Sequence, residues 1–281
     1  MNLSDYKTIE SLLKKHGFSF KKSLGQNFLI DSSVCPKMAE FACDETYGVL
    51  EIGPGIGVLT KEVSKVAKRV VAIELDERLR EILPQTLADC QNVKVIFGDA
   101  MKLDLKSIIE ENFADCQKVC VCANLPYYIT SPIIMMLLES KLPIDNITVM
   151  VQKEAAERLC AKVGSRESGA VTVAVDYYAD AEILFHVGRN SFMPPPNVDS
   201  AVIKLNIREN PPVEVRDEKK FFSLIKACFA QRRKTLVNTV SNTTNYSKDE
   251  LRNALGELGI SETVRAEQLT IEQLANLSNK L

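Results

Sequence analysis

Residues 49–60 read Val-Leu-Glu-Ile-Gly-Pro-Gly-Ile-Gly-Val-Leu-Thr, and this stretch decides the fold. Val49–Ile52 predicts a short buried strand, the glycines at 53, 55 and 57 a tight turn, and Leu59–Ala67 a helix. Glycine there permits positive φ and lets a ligand lie against bare backbone. Outward from this turn the alternation repeats. Arg69–Glu74, Val93–Phe97, Lys118–Ala123 and Ile147–Gln152 each read as an apolar strand, with helical stretches running through Leu83, over Ile133–Glu139 and from Lys153. Strands alternating with helices imply a parallel sheet with right-handed crossovers and helices on both faces. Ala170–Tyr178, Ala181–Val187 and Ala201–Ile207 are expected to add further strands. A proline-containing break at Glu209-Asn210-Pro211-Pro212 then changes the pattern to helices, over Glu218–Ala230, Lys234–Ser241, Lys248–Leu258 and Ile271–Lys280. Ser247 with Glu250 three residues on has the spacing of an N-terminal capping box. The expected organisation is an α/β domain over residues 1–209 and a small all-helical domain over 210–281.

Composition sets the outer bounds. The chain has 281 residues, 46% apolar and 26% charged, enough for one large domain and a small one. No window approaches 18 consecutive apolar residues, so no membrane span is expected. The N-terminus, MNLSDYKTIESLLKKHGF, reads as a polar amphipathic helix and lacks the apolar core of a signal peptide. Eight cysteines include no C-x-x-C pair, and His16 and His186 lie in unrelated segments. Neither a zinc site nor any other metal is expected, and the cysteines read as reduced thiols of a cytoplasmic protein. The net charge of −2 argues mildly against a nucleic-acid partner, but the charge is clustered. Lys7, Lys14, Lys15, Lys21 and Lys22 form one basic run and Arg232-Arg233-Lys234 another, either able to face phosphates or to stand as a solvated surface.

The glycine loop has two readings. A dinucleotide fingerprint, G-x-G-x-x-G, requires its third glycine at position 58, which is Val58. The pattern here is G-x-G-x-G, and Glu51 beside it would repel a pyrophosphate but suits a cofactor with a cationic amino-acid end. This is the acidic-x-G-x-G-x-G loop of Rossmann-like methyltransferases, with Gly53 and Gly55 as the points of approach of S-adenosylmethionine. Glu74 closes the next strand, 21 residues past Gly53, where a carboxylate accepts both ribose hydroxyls. Asp99, in Gly98-Asp99-Ala100 after the third strand, is placed to accept a hydrogen bond from the cofactor's adenine, although taken alone it reads as a turn aspartate.

The fourth strand ends in Asn124-Leu125-Pro126-Tyr127. An adenine amine is a poor nucleophile because its lone pair is delocalised into the ring. The Asn124 side-chain oxygen and a main-chain carbonyl near Leu125 or Pro126 would accept its hydrogens. Pro126 fixes the local backbone, and Tyr127 offers a flat face for an extruded base. Phe192, ahead of Pro194-Pro195-Pro196, would cover the base's other face or simply belong to the core.

These residues resemble the ribosomal RNA adenine dimethyltransferases of the bacterial KsgA type, which act on 16S rRNA. The matching segments are KSLGQNFL (22–29), EIGPGIGVLT, VVAIELD, GDAMKLD, NLPYYITSPI, FMPPPNVDSAV and FAQRRKTLVN, in order over nearly the whole chain. The resemblance implies that Gln26, Asn27 and Leu29 touch S-adenosylmethionine, and that Gly53, Glu74, Asp99 with Ala100, and Asn124 complete its site. It implies that Tyr127 and Phe192 bracket the target, and that two adjacent adenosines each receive two methyl groups. The expected partner is 16S rRNA within the small subunit, with Lys21, Lys22, Arg232, Arg233 and Lys234 on its phosphates; the chain is expected to work as a monomer away from membranes. Three competing readings are a resistance-type enzyme dimethylating one adenine of large-subunit rRNA, a DNA adenine methyltransferase, and a non-catalytic RNA-binding factor. The FMPPPNVDSAV and FAQRRKTL segments disfavour the first, and the lack of a sizeable target-recognition domain the second. The intact loop with Glu74 and Asp99 disfavours the third.

Overall fold

The computed structural model describes residues 1, 3–18 and 27–281. In chain order they form α1 (Tyr6–Lys15), β1 (Phe28–Leu29), α2 (Val34–Ala42), β2 (Tyr47–Ile52), α3 (Val58–Val66), β3 (Arg69–Glu74), α4 (Leu83–Thr86), β4 (Val93–Phe97), α5 (Leu105–Asn112), β5 (Lys118–Asn124) and α6 (Thr130–Glu139). There follow β6 (Asn146–Gln152), α7 (Lys153–Leu159), α8 (Ala170–Tyr178), β7 (Ala179–Val187), β8 (Phe192–Met193), β9 (Ser200–Ile207), α9 (Glu218–Cys228), α10 (Leu236–Thr243), α11 (Lys248–Glu257) and α12 (Ile271–Lys280). No helix among the described residues is long and apolar enough to cross a membrane.

One sheet has the order β4-β3-β2-β5-β6-β9-β7. The first five strands are parallel, and β9 runs antiparallel to β6. β2, β5 and β6 are buried along almost their whole length, as strands covered on both faces must be, which is why their sequences show no polar alternation. The order reverses at β2: β3 and β4 lie on one side of it and β5 and β6 on the other. Ligands of open α/β sheets bind at such a reversal, beyond the C-terminal ends of the strands. β1 and β8 pair separately as a short antiparallel ribbon, Phe28 opposite Met193 and Leu29 opposite Phe192. The Ile30 N–H extends the ribbon by donating to the Ser191 carbonyl at 2.8 Å. This ribbon joins two segments far apart in sequence, residues 28–29 and 192–193, at one edge of the crevice.

The chain divides into two compact units, Met1–Ala156 with Glu182–Ile207, and Glu157–Ala181 with Arg208–Leu281. The second unit is therefore not one contiguous tail. Residues 170–178, read from sequence as a strand, are the helix α8. The β-branched run AVTVAVDYY favours a strand by propensity, but it forms a helix that buries residues 172–175 and Tyr177. At its start the Gly169 N–H donates to Thr172 Oγ1 (3.0 Å), which in turn donates to the Arg158 carbonyl (2.7 Å). Tyr177 packs on Phe221 and Phe222 of α9 with ring centroids 5.6 and 5.2 Å away, so tertiary packing overrides propensity. The Ser247–Glu250 capping box forms as its spacing suggests.

Phe221 is fully buried in this aromatic cluster. Phe221→Ala is expected to destabilise the second unit by about 3–5 kcal/mol, read as a lowered denaturation midpoint for that unit.

Candidate active site

The site is built at the carboxyl edge of the parallel strands. β2 delivers Glu51, and the chain then turns through Gly53 (φ 73°), Gly55 (φ 59°) and Gly57 (φ 88°), all in the left-handed region. A side chain at Gly57 would also press to 2.8 Å from Leu87, whereas one at Gly53 would meet nothing within 4 Å. Gly57 is thus required by the turn and its packing, while Gly53 borders open space. The Gly53 N–H bonds back to the Ile73 carbonyl at 2.9 Å, tying the turn to the neighbouring strand.

At the end of β3 the Glu74 carboxylate accepts the Gly55 N–H (3.0 Å) on one oxygen and the Asp76 N–H (2.7 Å) on the other. Burial pushes the Glu74 carboxyl up to about 7, against these backbone donors, and the Asp76 carboxylate adds to the rise. Asp99, beyond β4, accepts the Met101 N–H on Oδ1 at 3.0 Å and has Lys102 Nζ 3.5 Å from Oδ2. It is a turn aspartate as well as a wall of the crevice.

β5 ends in Asn124, in register with Met150 of β6. The Pro126 carbonyl already accepts from the Ile129 N–H (3.1 Å) and the Thr130 hydroxyl (3.2 Å). Of the two main-chain carbonyls open on sequence, that of Leu125 has no such partner among the described residues. Tyr127 is half-buried, its hydroxyl 2.7 Å from Ser200 Oγ of β9, which fixes the ring's orientation. Burial raises the Tyr127 pKa, the Ser200 hydrogen bond opposing it, so the phenol stays neutral.

The ends of β2, β3, β4 and β5 face one cleft of about 1200 Å³, counting its solvent-open part. Of the sequence-predicted cofactor residues, Asn27, Leu29, Gly53, Gly55, Glu74, Asp99, Ala100 and Asn124 are on its wall, together with Leu125, Pro126, Tyr127 and Phe192. Phe192 is 2% exposed and packs in the core through the β1–β8 ribbon while also lining the cleft. Gln26, Lys21 and Lys22 lie outside the described residues. Arg232, Arg233 and Lys234 are exposed in the second unit, but the Arg232 guanidinium donates to the Arg166 carbonyl at 2.8 Å and is held within the fold. Sequence reasoning missed Phe28, and Cys35 and Met38 of α2, which also line the cleft. The apolar spacing of residues 34, 35, 38, 39 and 42 is the helical signal for α2.

Glu51 stands out electrostatically. It is 1% exposed, lines the cleft, and its Oε2 has no hydrogen-bond partner among the described residues. Burial pushes its carboxyl up to about 8, Thr60 opposing and the Glu74 charge adding to the rise. An unpaired buried carboxylate is unfavourable unless a cation or donor joins it. The donor set therefore fits a ligand with a cationic end near Glu51 and hydroxyl or amine donors near Glu74 and Asp99, as S-adenosylmethionine has.

Because the folded pKa of Glu51 is raised, its stabilising contribution is full below the unfolded value near 4.5 and is lost as pH rises through about 8. The unfolding free energy of the ligand-free protein is expected to fall across that window by a few kcal/mol. Glu51→Gln removes most of the slope, Glu74 accounting for a smaller remainder; denaturant titrations at pH 5.5 and 8 check it.

Residues 17–281 match the family model described as ribosomal RNA adenine dimethylase. A "Ribosomal RNA small subunit methyltransferase A" of Geobacillus sp. (strain WCH70) is 50% identical over 275 residues, 96% of this chain and 94% of its own. The protein of the same name from Bacillus mycoides (strain KBAB4) is 50% identical over 276 residues, covering 97% and 94%. Among solved structures, a dimethyladenosine transferase from Plasmodium falciparum superposes with a TM-score of 0.69 at 28% identity, covering 86% of this chain and 93% of that one. The 23S rRNA methyltransferase ErmE gives 0.66 at 26%, covering 91% and 99%. The chain belongs to the ribosomal RNA adenine dimethylase family.

Proposed function

We propose that the protein transfers methyl groups from S-adenosylmethionine to the N6 amines of two adjacent adenosines in the 16S rRNA of the small ribosomal subunit, giving dimethyladenosine at each. The observation that carries this is the juxtaposition at the sheet's reversal point: the Gly53–Gly57 turn with its unpaired Glu51 ends β2, and Asn124–Tyr127 ends the neighbouring β5, strands paired through Glu51 and Cys122. Cofactor and target sites thus share one cleft. The small-subunit preference is supported by the names of the 50%-identical relatives.

In this proposal the amino-acid end of the cofactor is held at Glu51 and the Gly53–Gly55 backbone. Glu74 takes the ribose hydroxyls, and Asp99 with Ala100 the adenine; Gln26, Asn27 and Leu29 close the remaining side. When bound, the cofactor supplies a sulfonium-activated methyl group. The chain contributes alignment. The Asn124 side-chain oxygen and the Leu125 carbonyl accept from the amine, restraining its lone pair toward the methyl donor. Pro126, with no N–H and its own carbonyl engaged, stiffens the turn. Tyr127, held by Ser200, and Phe192 sandwich the base. Because the methyl arrives activated, no metal ion is needed. Lys21, Lys22, Arg233 and Lys234 are assigned to RNA phosphates, Arg232 contributing its remaining donors. The same proposal has the protein act in the cytoplasm as a monomer.

Incubation with small and with large ribosomal subunits, each with cofactor, followed by mass spectrometry of the rRNA, is expected to find dimethyladenosine at adjacent positions of the small-subunit rRNA; modification confined to large-subunit rRNA would refute the small-subunit assignment. Asn124→Ala and Tyr127→Ala are each expected to lower kcat by about 10²-fold or more while calorimetric cofactor affinity falls by less than about tenfold.

A further inference from the structure

Tyr128 has no part in the chemistry above, yet it lines the cleft and is 57% exposed, a large fraction for an aromatic side chain. It sits in the same 3-10 turn as Tyr127, residues 127–129. Successive side chains in such a turn point about 120° apart, so the two rings face different ways. Tyr127 is half-buried and anchored on Ser200, while Tyr128 opens to solvent. Strand order separates Tyr128 from the acidic groups: Glu74 and Asp99 follow β3 and β4, on the other side of β2 from β5. The exposed ring therefore stands on the Asn124 side of the cleft.

We propose that Tyr128 is a stacking platform for a nucleobase flanking the target adenosine, a second base subsite at the mouth of the cleft. The inference rests on the reading of the cleft as a pocket for an extruded adenine. Taking a base out of a stack leaves the face of its neighbour bare to water. An aromatic ring beside the pocket replaces that lost stack, with little preference for which base it covers, because every base has a π-face. Tyr127 holds the flipped base and Tyr128 holds the strand that flipping has disturbed.

The test compares Tyr128→Ala, Tyr128→Phe and Tyr128→Leu in the full-length protein with small ribosomal subunits as substrate, reading KM for the subunit, kcat and calorimetric affinity for S-adenosylhomocysteine. Tyr128→Ala is expected to raise KM by about tenfold, with cofactor affinity changed by less than about twofold. Tyr128→Phe is expected to restore most of the loss and Tyr128→Leu little of it, because a planar ring and not bulk or a hydroxyl is required. An unchanged KM in Tyr128→Ala, or equal behaviour of the Phe and Leu variants, overturns the platform. A parallel loss of cofactor affinity also overturns it, since the ring would then serve the cofactor. Absence of methyl transfer by the unaltered protein would instead refute the reading on which the inference rests.

Discussion

A carboxylate buried without a counter-charge, at the end of the central strand, is the constraint around which the rest of the site is arranged. Glu51 is set there by the parallel pairing of β2 with β3 on one side and β5 on the other, opposite Ala72 and Cys122. Its strand neighbours Ala72 and Cys122 bring no counter-charge, and its Oε2 has no hydrogen-bond partner among the described residues. The fold thus keeps a local electrostatic deficit, a carboxyl whose ionisation burial disfavours, at the point where a ligand's cationic group would favour it. Such local deficits, held in place by a rigid sheet, are typical of functional positions.

Around Glu51 the other polar groups are oriented by hydrogen bonds within the protein. Glu74 is oriented by two backbone N–H groups, one from the glycine turn and one from its own loop. Asp99 is oriented by the turn it caps, and Tyr127 by Ser200 on a strand with a different direction. Each uses part of its hydrogen-bonding capacity inside the protein and keeps the remainder for the cleft. Orientation fixed in advance lowers the entropy lost when small groups must be aligned for transfer. The β1–β8 ribbon brings Leu29 and Phe192 to the same wall by main-chain pairing.

The sequence made the α/β architecture legible where hydrophobic runs alternate with helical periods and end in glycine or acid. All five parallel strands and the four tail helices fall close to their expected positions. The cleft-lining positions were legible for a related reason: in a parallel sheet, chemistry gathers at strand ends, and strand ends are visible in sequence. What escaped was set by tertiary packing. The run 170–178 looks like a strand residue by residue and becomes a helix because Tyr177 joins the aromatic cluster of α9. The part of Cys35 and Met38 in the cleft wall follows from where α2 packs. The choice between the Leu125 and Pro126 carbonyls depended on hydrogen bonds from Ile129 and Thr130 that spacing does not reveal.

The most direct measurement of the central claim is calorimetric titration of the unaltered protein and Glu51→Gln with two ligands: S-adenosylhomocysteine and 5′-methylthioadenosine, which lacks the amino-acid end. If Glu51 exists to meet that cationic end, the substitution weakens the first ligand by about tenfold or more and leaves the second within about twofold. Equal weakening of both, or no change in either, would contradict the account.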